Sequence, residues 1–210
     1  MHHVDRQVRL GADRVGHSQA EKAESRERIL DVAARQIRQG GLDSVSIAEI
    51  MKAANLTHGG FYGHFPSRAA LIAAAVERAL DRGEASFVAS HTPNAPVTLK
   101  SIVNRYLAPA HRDDTRDGCA IAALSGDVGR AEDDEVRAQM ARRIEQSFED
   151  MAKAMGGGAK AEAAAVTAWC AMVGAISLSR VLRGTRRSDE ILRTVRQSIL
   201  DLDAAVRDDG

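Results

Sequence analysis

Aromatic side chains make up only 3% of this 210-residue chain, with a single Trp. Pro occurs four times, and no stretch sustains an alternation of β-branched and polar residues. A sheet has little to be built from, so an all-α chain is expected. Two cysteines, Cys119 and Cys170, are too few for a disulfide framework. They point to a reducing, cytoplasmic setting. The longest uncharged run, 163–179, falls short of the roughly 20 apolar residues that span a bilayer. It is rich in Ala, Ser, Thr and Gly, so no membrane partner is expected. The first twenty residues hold no continuous apolar core, and no secretory leader is expected. There is no phosphate-binding loop, no G-x-S-x-G, no metal-ligand spacing and no catalytic pair. His58 and His64 lie six apart, about 120° around a helix, and cannot readily share a metal. No catalytic residue, metal or cofactor is expected.

Net charge is zero, which excludes a globally basic nucleic-acid binder but not a locally basic one. Residues 1–70 hold ten Lys/Arg against eight Asp/Glu, and five of the seven His. The rest of the chain is correspondingly acidic.

The informative stretch is 46–65, SIAEIMKAANLTHGGFYGHF. Ser46 and Glu49 have capping-box spacing, and Val45 and Ile50 have hydrophobic-staple spacing. Ile47, Ile50, Met51 and Ala54 recur at helical intervals. Asn55 enters the left-handed region cheaply. Leu56 plugs the turn, and Thr57 is placed to cap a second helix. That helix holds Gly59, Gly60 and Gly63, which give up roughly 3 kcal/mol of helix propensity. Such a helix suits close backbone approach to another surface more than packing. Thr57, His58, Tyr62 and His64 carry no negative charge and suit phosphate oxygens and base edges. Ile47, Ile50, Leu56, Phe61 and Phe65 read as core.

Ser46-Ile47-Ala48-Glu49-Ile50, Asn55, Tyr62-Gly63-His64-Phe65 and Ser67-Arg68 resemble the helix-turn-helix of TetR/AcrR-type transcriptional regulators, in order and spacing. The resemblance is close over 23–83 and general elsewhere. It implies a flexible arm at 1–22, a three-helix DNA-binding head at 23–83, and a larger helical effector-binding and dimerisation domain at 84–210. About nine helices are expected in all. The arm could also track DNA through Arg6, Arg9 and Arg14. The expected DNA contacts are Ser46, Thr57, His58, Gly59, Gly60, Tyr62, His64 and Arg68. His58 is the candidate for a base edge. Gly59 and Gly60 allow close approach, and Tyr62, His64 and Arg68 resemble the family's phosphate positions. Arg26 or Arg28 is a further candidate for a phosphate.

Periodicity places further helices at 25–39, from 68 to 83 or beyond, and at 97–110, 118–129, 132–155, 159–182 and 188–206. Loops are expected at 91–96 and 112–117. The resemblance implies a small hydrophobic effector held by the second domain. Candidate lining residues are Val76, Leu80, Phe87, Ile102, Tyr106, Cys119, Met140, Ile144 and Phe148. It also implies a homodimer through the last two helices, reading palindromic double-stranded DNA. The candidate interface is Val166, Cys170, Val173, Leu178, Ile191, Val195, Ile199 and Leu202. The expected function is a repressor released by its ligand. The alternatives are a DNA-binding protein without an effector, architectural or controlled by a protein partner, and a cysteine-based electrophile or redox sensor using Cys119. Cys170, beside Trp169, reads as inert core.

Overall fold

A computed structural model describes residues 5–89 and 98–208, with side chains over 19–83 and 98–208. Among the described residues there are nine α-helices, two short 3-10 segments and no strand. Helix α1 (Asp5–Gly40) is far longer than the expected 25–39. The segment expected as an irregular arm is helical from Asp5 onward. It contains no Pro, and its Arg, Gln, Ala, Glu and Lys are good helix formers. Gly11 and Gly16 each cost about 1 kcal/mol without stopping the helix. The stop comes at Gly41, whose φ of 80° only glycine adopts cheaply.

A 3-10 turn (Leu42–Ser44) leads to α2 (Ile47–Ala53), a 3-10 helix (His58–Gly63) and α3 (Arg68–Ala89). The loop expected at 91–96 and the side chain of Phe87 lie outside the described residues. The helix expected at 97–110 is two helices, α4 (Leu99–Tyr106) and α5 (Pro109–Asp113). Pro109 causes the break. It forces Ala108 into an extended conformation, φ −83° and ψ 144°, and then opens α5 at its first position. The polar loop expected at 112–117 is thus partly helix. It carries Arg112 into the interior, where Nη1 donates to Ser188 Oγ at 2.8 Å and to Asp189 Oδ1 at 2.6 Å. This fastens α5 to the start of α9.

The remaining helices fall within a few residues of expectation: α6 (Ala120–Arg130), α7 (Asp134–Ala154), α8 (Ala159–Val181) and α9 (Arg186–Asp208). Two apolar cores organise them. The first joins Ile29, Ile37, Ile50, Phe61, Phe65, Leu71 and Val76 to Leu124 of α6 and Met140 of α7. The second joins Val103, Tyr106, Met151, Met155, Met172, Ile176, Leu192 and Ile199. Cys119, Trp169 and Val173 pack against both. The first core therefore crosses from the head into the body, and the space between the cores is walled by α3, α4, α5, α6, α7 and α8.

By length and composition α8 could cross a bilayer, longer than the uncharged run alone indicates. In the fold it lies against α6, α7 and α9.

Gly118 sits where an added Cβ would overlap the Asp114 carbonyl oxygen, with Arg180 Nη2 3.2 Å away. Gly118→Ala is expected to cost about 1–3 kcal/mol by displacing this turn. Urea unfolding checks this, and an unchanged midpoint would show that the turn relaxes freely.

Candidate DNA-reading surface and effector cavity

Local chemistry sets the reading surface. Ser46 caps α2 from an extended conformation, its Oγ accepting from Glu49 N–H at 3.4 Å. The Glu49 carboxylate meets Gln36 Nε2 at 3.5 Å. Asn55 takes φ 59°, and Leu56 N–H donates to Met51 O at 2.8 Å, which closes the turn. The segment that follows is a 3-10 helix rather than the expected α-helix. Thr57 does not cap it through its side chain; its carbonyl accepts from Gly60 N–H at 3.0 Å. Three glycines within six residues explain the form, since a short 3-10 segment asks less of them than a sustained α-helix.

Phe61 is buried and stacks on Phe65, with centroids 6.0 Å apart. Tyr62 leans on the Phe61 edge at 5.2 Å and is 71% exposed. Thr57, His58, Gly59 and Gly63 share the open side. A Cβ at Gly59 or Gly63 would meet nothing within 4 Å, so this backbone is bare to solvent. Gly60 is half-buried over Met51. Ser46 is also half-buried. His64 is half-buried with Nδ1 enclosed and unpartnered, and burial, aided by Lys22 and Arg26, depresses its pKa.

Arg68 is placed differently from the expected phosphate ligand. Its Nε donates to Val45 O at 3.0 Å, and its Nη2 lies 3.4 Å and 3.3 Å from the carbonyls of Leu42 and Asp43. The start of α3 is capped by Ser67, whose Oγ accepts from Ala70 N–H at 3.0 Å. Arg68 thus holds the segment before the motif against α3. Arg28 is also engaged, with Glu24 and Ser25.

A cavity of about 160 Å³ opens between the cores, walled by Leu80, Ile102, Tyr106, His111, Cys119, Met151 and Trp169, among others. Of the expected lining residues, Leu80, Ile102, Tyr106 and Cys119 are present. Val76 and Met140 are buried in the first core, and Ile144 packs against it. Phe148 is half-buried off the cavity wall. The face that α7 turns to the cavity is Arg143, Gln146, Ser147, Asp150 and Met151. A search for apolar residues alone misses this mostly polar wall, although its i, i+3, i+4 and i+7 spacing is readable. His111 escapes the sequence reading because it stands at an assumed helix end.

The apolar end of the cavity carries a connected set of polar groups. Tyr106 Oη–H donates to Cys119 Sγ at 3.2 Å, and Sγ also accepts from Ala122 N–H at 3.4 Å. Burial, reinforced by Cys119, holds the Tyr106 hydroxyl well above its ordinary pKa, so it remains a donor. His111 Nδ1 lies 2.7 Å from Tyr106 O, and Nε2 accepts from Cys119 N–H at 3.2 Å. A carbonyl only accepts and an amide N–H only donates, so His111 is the neutral Nδ1–H tautomer. Burial depresses its pKa.

Residues 29–75 match the family model described as bacterial regulatory proteins, tetR family. The match runs from mid-α1 into α3 and spans the whole helix-turn-helix. This segment carries the DNA-binding head of a TetR/AcrR-type regulator. It is 28% identical over 184 residues to an uncharacterized HTH-type transcriptional regulator of Mycobacterium tuberculosis, covering 83% of this chain and 94% of that one. Over 51 residues it is 47% identical to the HTH-type transcriptional regulator AcrR of Shigella flexneri, 24% of each chain. Its fold is similar to a TetR-family regulator from Cytophaga hutchinsonii, with a TM-score of 0.71, 19% identity and coverage of 88% and 96%. A TetR regulator from Chloroflexus aurantiacus gives 0.72, with 21% identity and coverage of 86% and 94%.

Outside the matched head, α8 keeps an apolar face uncovered. Val166 is 44% exposed, Leu178 60% and Val181 84%. Cys170 is exposed rather than the inert core residue expected. Val173, Ile191, Val195 and Leu202 are half-buried. Ile199 is buried in the second core and does not belong to this face. On α9 it shares with Leu192 the side that packs into that core against α8.

Two outcomes follow. Arg68→Ala is expected to lower stability by about 1–2 kcal/mol through the missing carbonyl hydrogen bonds, read by thermal melting, without changing the salt dependence of DNA binding. An altered salt slope with unchanged stability would place Arg68 on the DNA. For His111, the folded pKa lies below the unfolded value near 6.5, so the unfolded chain binds more protons between the two. The stabilisation is complete above about 6.5 and is lost as pH falls toward the folded value; His64 acts in the same direction. His111→Gln, which keeps one donor and one acceptor, should flatten that fall in urea midpoints. An unchanged pH profile would contradict it.

Proposed function

We propose that this chain is a homodimeric repressor that reads a palindromic operator and lets go when a small hydrophobic ligand enters the cavity. The observation that carries the reading is the position of α6. Its first turn, Cys119, Ala120 and Ile121, walls the cavity. The residues at its ends hold the head. Asp117 meets Arg35 Nε at 3.1 Å and Arg38 Nη2 at 3.6 Å. Asp127 Oδ2 accepts from Leu42 N–H at 3.1 Å. A ligand that displaces this turn moves the same carboxylates that orient α1 and the approach to α2. Release requires that the ligand bind the non-DNA arrangement more tightly than the DNA-bound one.

On the DNA side, His58 and Tyr62 are the side chains of the 3-10 helix that reach groove edges. The bare backbone at Gly59 allows close approach, with Gly60 half-buried over Met51 behind it, and Ser46 and Thr57 offer hydroxyls to phosphate. His64 lies at the edge of this surface. With so few reading side chains, part of the specificity falls to DNA shape. The apolar strip Val166–Cys170–Leu178–Val181 is suited to isologous pairing, which sets two heads on successive major grooves.

The Tyr106–Cys119 bond favours one second reading, in which the effector is an electrophile. The Cys119 sulfur would add to the β-carbon of an unsaturated carbonyl, and the thiol proton would pass through solvent to the α-carbon. Cys119→Ser then abolishes release by such compounds and leaves release by unreactive ones intact.

Selection of duplexes from random DNA, followed by titration with hydrophobic compounds, tests the main reading. Trp169 is the only Trp of the chain and walls the cavity, so its fluorescence reports occupancy. The expected result is a palindromic consensus, and compounds that both alter Trp169 emission and release DNA. Emission changes without release would leave the cavity uncoupled and contradict the reading. For the dimer, Leu178→Glu with Val181→Glu should halve the mass in sedimentation and weaken palindrome binding by an order of magnitude or more. An unchanged mass would remove α8 from the interface.

A further inference from the structure

Most cations near the reading surface already have partners. Arg28 pairs with Glu24 at 3.1 Å, and Arg78 with Glu27 and with Asp31 at 2.9 Å. Arg82 also pairs with Asp31 at 2.5 Å, and Arg68 is held by backbone carbonyls. These pairings also engage Glu24, Glu27 and Asp31 of α1. Lys22 and Arg26 differ. Both are exposed, and neither has a carboxylate partner among the described residues.

They stand four residues apart, on one face of α1 and about 6 Å apart along its axis. The Arg26 guanidinium carbon lies 4.7 Å from the Phe65 ring centroid. Phe65 ends the segment that carries His58 and Tyr62. This cation–π contact holds the guanidinium over the ring, and its N–H groups can still serve an acceptor in solvent. Both charges also act on His64, which places them at the C-terminal edge of the reading helix.

We infer that Lys22 and Arg26 are backbone-phosphate ligands, gripping the strand that borders the groove entered by the 58–63 helix. They supply the positive charge that the sequence pattern assigns to Arg68. The inference rests on the DNA-reading function proposed above and adds to it the residues that anchor the head without reading sequence. Arg26 is a fork held over the Phe65 ring and Lys22 a mobile point charge, so Arg26 contributes more to orientation and Lys22 mainly to counterion release.

The test is the salt dependence of binding to a duplex selected by the wild-type protein and to a random-sequence duplex, measured by fluorescence anisotropy. The variants are Lys22→Gln, Arg26→Gln, the double variant and Arg26→Lys, each checked by circular dichroism. Each neutralising change is expected to lower the slope of log K against log salt by about 0.9 for every phosphate that is no longer neutralised. It should weaken selected and random duplexes alike, and Arg26→Lys should restore the slope. A purely structural stacking role would instead lower stability and leave the slope in place. Lys22→Gln touches no packed residue and keeps the test open if Arg26→Gln misfolds. Wild-type slopes in Lys22→Gln and in the double variant would overturn the inference while leaving the DNA-reading function standing. A wild-type protein that binds no duplex would overturn both.

Discussion

The structure turns on one buried cation. The Arg38 side chain is only 1% exposed, and a guanidinium keeps its charge in proteins even when buried. Its Nη1 donates to Ala79 O at 3.0 Å and its Nη2 faces Asp117 at 3.6 Å. Burial depresses the Arg38 pKa, and Asp117 opposes that shift most strongly. One side chain on α1 therefore engages the backbone of α3 and the acidic turn that opens α6. Burying a charge is tolerated only when its partners stay in place. Any motion that carries Asp117 away leaves Arg38 with a lone carbonyl, so the three helices are obliged to move together.

Asp117 is shared, since Arg35 holds the same oxygen at 3.1 Å. The far end of α6 repeats the arrangement with a backbone donor, Asp127 accepting from the Leu42 amide. The approach to α2 is consequently pinned from two sides, by Asp127 of the body and by Arg68 of α3. Between these ends lies the cavity wall. Cys119 caps α6, and His111 and Tyr106 hold Cys119 through its amide and its sulfur. A hydrogen-bonded chain thus runs from the cavity to the turn that grips α1. That is a physical route between the cavity and the reading head; α3, which lines the cavity at Leu80 and begins beside the motif, offers a second.

Much of this is legible in the residues. Ser46, Asn55 and the Phe61–Phe65 pair each obey a local rule, and each sits where that rule puts it. The long amphipathic helices α7 and α9 are equally plain, because their periodicity runs for about twenty residues. What stays hidden depends on contacts between distant segments. Nothing near Arg68 shows that Leu42, Asp43 and Val45 will present three carbonyls to it. The stretch around Arg112 looks like solvated loop, and only Ser188 and Asp189, far along the chain, explain why an Arg is buried there. Pro109 is a local signal that the helical periodicity masks, and it divides α4 from α5. The cavity face of α7 is concealed because Arg143, Gln146 and Asp150 look like an ordinary wet face until α3 is laid beside them.

The central claim is that α6 and the reading head form one mechanical unit through Asp117. Hydrogen–deuterium exchange on Asp117→Asn tests it most directly, because exchange reports local opening residue by residue. The account predicts faster exchange both around Cys119–Ala122 and across Gly41–Val45, although Asp117 touches neither Leu42 nor Val45. Faster exchange confined to the turn around Asp117, with Gly41–Val45 unchanged, would contradict it.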